Sequence, residues 1–154
     1  MGTLLKDTPH GGARWISLHD KELSAIDIEL DSVCLRFRDG FDLIEDGQLK
    51  HFPSGRMILN GCPEGEVNCY IVDRTACESG MRFQGRELSM SELACMLRQE
   101  TVSVEIFKEI YNDDTIHLRG EMLPYAQEGL SVLVVIETAG WFPITYEWDE
   151  DKIM

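Results

Sequence analysis

Ser24-Ala25-Ile26-Asp27-Ile28-Glu29-Leu30-Asp31-Ser32-Val33-Cys34-Leu35-Arg36-Phe37 is the stretch that decides the fold class. Apolar and polar side chains alternate through it almost one for one. A period of two places Ile26, Ile28 and Leu30 on one face and Asp27 and Glu29 on the other, which is the pattern of a half-buried strand. The alternation resumes after Asp31-Ser32 with Val33, Leu35 and Phe37 against Cys34 and Arg36. A two-residue turn at Asp31-Ser32 pairs Leu30 with Val33, Ile28 with Leu35 and Ile26 with Phe37, and sets Asp27 opposite Arg36 on the wet face.

The chain continues through Arg38-Asp39-Gly40. A three-residue loop with Gly40 left-handed keeps Phe41 and Leu43 on the apolar face, whereas a two-residue loop would expose both. Burying such side chains is worth roughly 1.5–3 kcal/mol each, so the bulged loop is the expected one and residues 24–44 read as a three-stranded meander. A short strand is expected over Arg14 to Leu18. Others are expected over Arg56–Leu59, Val67–Asp73 and Met81–Arg86, with a turn at Asn60 to Gly65. Ser89 followed by Glu92 forms a capping box, and Leu93, Met96 and Leu97 give a helical stripe, so a helix is expected over Met90 to Gln99. Residues 101–111 fit either period; their β-branched start and the Asn112-Asp113-Asp114 turn favour strand. Leu130 to Thr138, apolar on both sides, reads as a covered central strand. Ala139-Gly140 then turns it into a final hairpin with Trp141–Trp148, where Pro143 places the last strand at an edge or bulge.

The fold class expected is mainly β, α+β by strict count: an antiparallel β-sandwich or half-open barrel with one short helix near residues 90–99. Residues 1–14, with Pro9, Gly11 and Gly12, read as a flexible N-terminal arm, and residues 15–154 as a single globular domain.

Charge narrows the function classes. The chain has 154 residues, 28 of them acidic against 14 basic, for a net charge of -14. The excess of acid is present in both halves of the sequence. Nucleic acid and anionic membrane surfaces are excluded as partners by the lack of any basic stripe. A basic protein partner is the expectation that fits. Met1 to Arg14 carries no signal peptide pattern, and no apolar run reaches the roughly 18 residues of a spanning helix. The expected setting is cytoplasmic, with Cys34, Cys62, Cys69, Cys77 and Cys95 as reduced thiols.

Motifs for phosphate loops, dinucleotide binding, zinc proteases and serine hydrolases are absent. Cys62, Cys69 and Cys77 lie too far apart for the usual zinc spacing, and the acids from Asp39 to Gly47 lack calcium-loop spacing, so no metal and no cofactor are expected. His19 and Asp20 are the catalytic candidates, although neighbours on an extended strand point to opposite faces. Trp141 with Glu147, Asp149, Glu150 and Asp151 is the candidate partner-binding edge, an aromatic anchor bordered by acids. In composition and architecture the chain is similar in style to the immunity proteins that neutralise bacterial toxins. That resemblance implies a non-enzymatic interaction module. A small-ligand-binding β-barrel and an enzyme of unfamiliar type using His19 and Asp20 remain the alternatives, and a homodimer through a sheet edge is compatible with all three.

Overall fold

The computed structural model describes residues 2–6, 14–77, 80–99, 102–112, 114–123 and 130–148. Its strands are β1 (Gly2–Lys6), β2 (Arg14–Ser17), β3 (Glu22–Ile28), β4 (Ser32–Phe37), β5 (Phe41–Glu45), β6 (Gln48–Phe52), β7 (Gly55–Asn60), β8 (Val67–Cys77), β9 (Gly80–Leu88), β10 (Ser103–Tyr111), β11 (Ile116–Leu123), β12 (Leu130–Thr138) and β13 (Ile144–Trp148), with one helix, α1 (Met90–Gln99). Ten strands form one sheet in the order β1-β13-β7-β4-β3-β10-β11-β12-β8-β9, and β2-β5-β6 form a second. The fold is therefore mainly β, antiparallel and sandwich-like. Both sheets end in edge strands, so no barrel closes.

The large sheet consists of two five-stranded leaves. They meet at β3 and β10, whose ladder holds two residue pairs, Leu23 opposite Val104 and Glu22 opposite Glu105. The backbone bonds from Asp20 N–H to the Ile106 carbonyl (2.8 Å) and from Ile106 N–H to the Lys21 carbonyl (2.9 Å) extend the seam. Leu23 and Val104 are both wholly buried in it. Helix α1 touches β3 in one leaf and β8 in the other, and buries Met90, Leu93 and Leu97 between them. The capping box forms as expected. Ser89 N–H donates to Glu92 Oε1 at 3.1 Å, and Glu92 N–H donates to Ser89 Oγ at 3.0 Å.

The first hairpin has the expected faces but a different register. The turn lies at Leu30-Asp31, closed by Glu29 N–H to the Ser32 carbonyl, so Ile28 faces Val33 and Ile26 faces Leu35. Displacing the pairing by two residues keeps every side chain on its face, but sets Asp27 opposite Cys34, so that it reaches Arg36 diagonally and not as the expected direct partner. Leu30 is left 96% exposed, while Leu23 comes opposite Phe37 across a bulge and enters the seam. In the expected register Leu23 would face Gly40, beyond the end of β4, so the shift exchanges one paired leucine for another.

The meander over residues 24–44 does not form. Gly40 is left-handed (φ 69°), as read, and Phe41 and Leu43 are buried. However, the chain leaves the sheet there, and β4 pairs with β7 instead of β5. The cause is aromatic packing. Phe41 meets Tyr146 and Trp148 edge-to-face at 5.8 and 6.3 Å, and Phe52 meets Trp148 at 4.9 Å. Those contacts require β5 and β6 to lie over β7 and β13, with the Phe41 ring directly above Gly55.

The expected final hairpin is also corrected. β12 pairs with β11 and β8, whereas β13 lies between β1 and β7 in the other leaf. Residues 139–143 cross between leaves, held by Ala139 N–H to the Glu66 carbonyl and by Asn60, which donates its N–H and its side-chain amide to the Pro143 carbonyl. Pro143 precedes the strand, so its missing N–H does not force β13 to an edge. Within the segment read as an arm, Gly2–Lys6 pair along β13; residues 7–13 lie outside the described residues. The strand reading of residues 101–111 agrees with β10, and α1 has the expected bounds.

Gly40 and Gly55 should be the least replaceable positions of the crossover. A Cβ on Gly40 would stand 1.7 Å from the Phe52 carbonyl oxygen at a left-handed φ, and one on Gly55 would stand 2.5 Å from the Phe41 ring. Gly40→Ala and Gly55→Ala are each expected to lower urea-unfolding stability by about 1–3 kcal/mol or more. Ser89→Ala should cost about 1 kcal/mol through loss of the cap.

Candidate functional site

His19 and Asp20 occupy the turn between β2 and β3. Asp20 has φ 64°, and this left-handed residue turns the two side chains toward each other, with His19 Nε2 3.6 Å from Asp20 Oδ2. The pair expected to diverge on an extended strand therefore does meet. Its side chains are 62% and 71% exposed, so solvent and not protein surrounds it.

The candidate partner edge is only partly in view, because Asp149, Glu150 and Asp151 lie outside the described residues. Trp141 is half-buried, edge-on to Tyr111 at 6.5 Å. Glu147 lies on the outer face of β13 and binds Arg56, its Oε2 accepting from Arg56 Nε at 2.8 Å. Tyr111 meets the Tyr146 hydroxyl on the inner side, so the Trp141 ring and the Glu147 carboxylate look in different directions.

Two constellations appear that the sequence reading did not single out. The first crosses the small sheet. Ser17, Asp42 and His51 stand in one row of the β2-β5-β6 ladder. His51 Nδ1 is 2.8 Å from Asp42 Oδ1, and Lys21 Nζ approaches the same oxygen at 3.4 Å. Asp42 orients the imidazole through Nδ1, and Lys21 Nζ lies 3.3 Å from the same nitrogen. The order across the sheet is Ser, Asp, His, however. A hydrolytic relay needs histidine between serine and carboxylate, so this row cannot activate Ser17. It ties Lys21, at the mouth of the seam, to β5 and β6.

The second lies on the outer face of β3, β4, β7 and β13. Arg36 and Arg56 are direct cross-strand partners in the β4–β7 ladder. Asp27 takes Arg36 Nε from one flank, and Glu147 takes Arg56 from the other. Arg98, in the last turn of α1, lines the same open groove, which has a volume of about 620 Å³. Cys34 forms part of its floor, two residues before Arg36 and on the same face. Burial pushes this thiol up, against the opposing pull of Arg36 and Arg56.

Cys34, Cys62, Cys69 and Cys95 are free thiols. No group of three or more His, Cys, Asp or Glu side chains among the described residues is placed to hold a metal ion. No described helix is long and apolar enough to cross a membrane. Comparison with protein-family models, curated proteins and solved structures returned no match.

Burial also raises Cys62 to about 11 and Cys69 to about 12, from an ordinary 9.0. The native state thus holds protons that the unfolded chain releases above pH 9, so the thiols' contribution to stability is intact below 9 and is lost as pH rises through 11–12. Urea-unfolding free energy should therefore fall above pH 9. Cys69→Ala should flatten that fall, whatever its cost at pH 7. Native alkylation at pH 8 should reach half-buried Cys95 before Cys62 or Cys69.

Proposed function

We propose that this protein is a non-enzymatic interaction module that docks a basic protein partner on its acidic surface. The carrying observation is where the charge goes. Lys21, Arg36, Arg38 and Arg56 are drawn into ion pairs with Asp42, Asp27, Glu22 and Glu147. Meanwhile Glu29, Asp31, Asp46, Glu66, Glu87 and Asp114 are exposed on turns and strands. With 28 acids against 14 bases, the field facing a partner is negative, which speeds association with a cation-rich surface and repels nucleic acid. Free thiols at Cys34, Cys62, Cys69 and Cys95 support a reducing, cytoplasmic setting.

The alternatives draw less support. A ligand-holding barrel needs an enclosed interior, but α1 and the small sheet fill the space along the large one with Leu93, Leu97, Phe41 and Phe52. An enzyme built on His19 and Asp20 needs a site that excludes water around them, and both are solvated.

Affinity capture on the immobilised protein, followed by kinetics with the recovered partner, tests the reading. A partner rich in Lys and Arg should associate at least about tenfold more slowly when salt rises from 50 to 500 mM. Recovery of only neutral or acidic partners, or an association rate indifferent to salt, contradicts it.

A further inference from the structure

We propose that the groove between α1 and the outer face of β3, β4 and β7 is a binding site for the phosphoryl group of a small molecule, held by Arg36, Arg56 and Arg98. The inference goes beyond the docking of a basic partner and uses the opposite charge.

It begins from an arrangement the sheet itself disfavours. Like charges directly opposite each other on neighbouring strands are destabilising, yet Arg36 and Arg56 are such a pair. A guanidinium cannot relieve the repulsion by losing its proton. Asp27 and Glu147 neutralise the two charges only from outside. Asp27 Oδ2 accepts from Arg36 Nε, and Glu147 Oε2 accepts from Arg56 Nε and Nη2. These contacts fix the planes of both guanidiniums and commit their flank-facing edges. What remains is a set of adjacent Nη donors on two part-exposed forks, a geometry suited to oxyanions.

The third cation comes from a different element. Arg98 lines the same groove from α1, and Ser91, two turns earlier on the same helix face, lines it too. The groove lining holds three arginines with the carboxylates of Asp27 and Glu29, and Glu147 sits on the Arg56 flank, so acid and base balance there on a chain of net charge -14. On such a chain a polyanion would be repelled at long range, whereas a compact anion can enter one cleft in which arginines offset the acids. Three forks exceed what a planar carboxylate with two oxygens can engage; a phosphoryl group offers three terminal oxygens. Ile26, Ile28 and Ala94 also line the groove. The volume, about 620 Å³, lies in the range of small-molecule sites.

The test is titration of the full chain with inorganic phosphate, a phosphomonoester (glycerol phosphate) and acetate at matched ionic strength. It is followed by the arginine Nε–H NMR signals and by thermal unfolding. Saturable shifts at Arg36, Arg56 and Arg98, absent at Arg38 outside the groove, are expected with phosphate and the ester. Tighter binding of the ester than of phosphate identifies an ester as the source; equal binding identifies the free ion. Arg98→Gln leaves both flank ion pairs intact and should weaken phosphate binding about tenfold. Arg56→Lys keeps the charge, loses the fork and should weaken it likewise. Acetate binding as tightly as phosphate, equal shifts at Arg38, or no saturation overturns the proposal.

Discussion

The apolar contact of Leu23 with Val104 is the constraint on which the rest of the structure depends. Two leaves of five strands meet along a ladder of only two residue pairs, and both side chains at that point are fully buried. So short a seam cannot hold the leaves by backbone bonds alone, since each contributes only about 1 kcal/mol net. It is supported on two sides. Helix α1 spans from β3 to β8 and buries Leu93 and Leu97 against both leaves. On another side Tyr146 of the first leaf donates to the Tyr111 hydroxyl of the second at 3.4 Å, and Tyr111 donates to Glu109 at 2.7 Å. Glu109 accepts in turn from Leu18 N–H at 3.0 Å. Burial raises both phenols well above their ordinary range, so both hydroxyls keep the protons they donate in this bridge.

Much of this was legible in the chain, and the missing parts share one cause. Period-two alternation located β3, β4 and β8, and Ser89 with Glu92 located α1 to the residue, because these signals act over a few neighbouring positions. Gly40 also announced its left-handed turn. What short-range pattern cannot convey is which strand a turn leads to. A β-strand beside the next one in sequence and a β-strand above it bury Phe41 equally well. The choice was made by Tyr146 and Trp148, more than a hundred residues away. The same holds for residues 139–143, which read as a hairpin turn and form a crossover. Strands β6 and β11 escaped notice because Leu49 is exposed and Gly120 interrupts the strand pattern of β11.

The candidate sites were less legible for the same reason. His19 and Asp20 are adjacent in sequence, so they drew attention, yet the better ordered histidine is His51, which reaches Asp42 only through the β5–β6 ladder. Arg36 and Arg56 become neighbours only once β7 displaces β5 from the side of β4. One signal was available: Asp27 and Arg36 were recognised as partners on the wet face of the first hairpin. That pair proves to be one end of a row that runs through Arg56 to Glu147. Charge thus has two scales here. Across the molecule it is strongly negative, which suits a basic macromolecular partner. Within the groove beside α1 three arginines offset the neighbouring acids, which suits a small anion, and the two can operate independently.

Native-state hydrogen exchange tests the dependence of both leaves on the seam most directly. The protein should behave as one cooperative unit, with the Asp20 and Ile106 amides at the seam exchanging at the same opening free energy as central amides of β4 and β12. Seam amides that exchange at markedly lower free energy, with β4 and β12 then opening at two different values, would contradict that account.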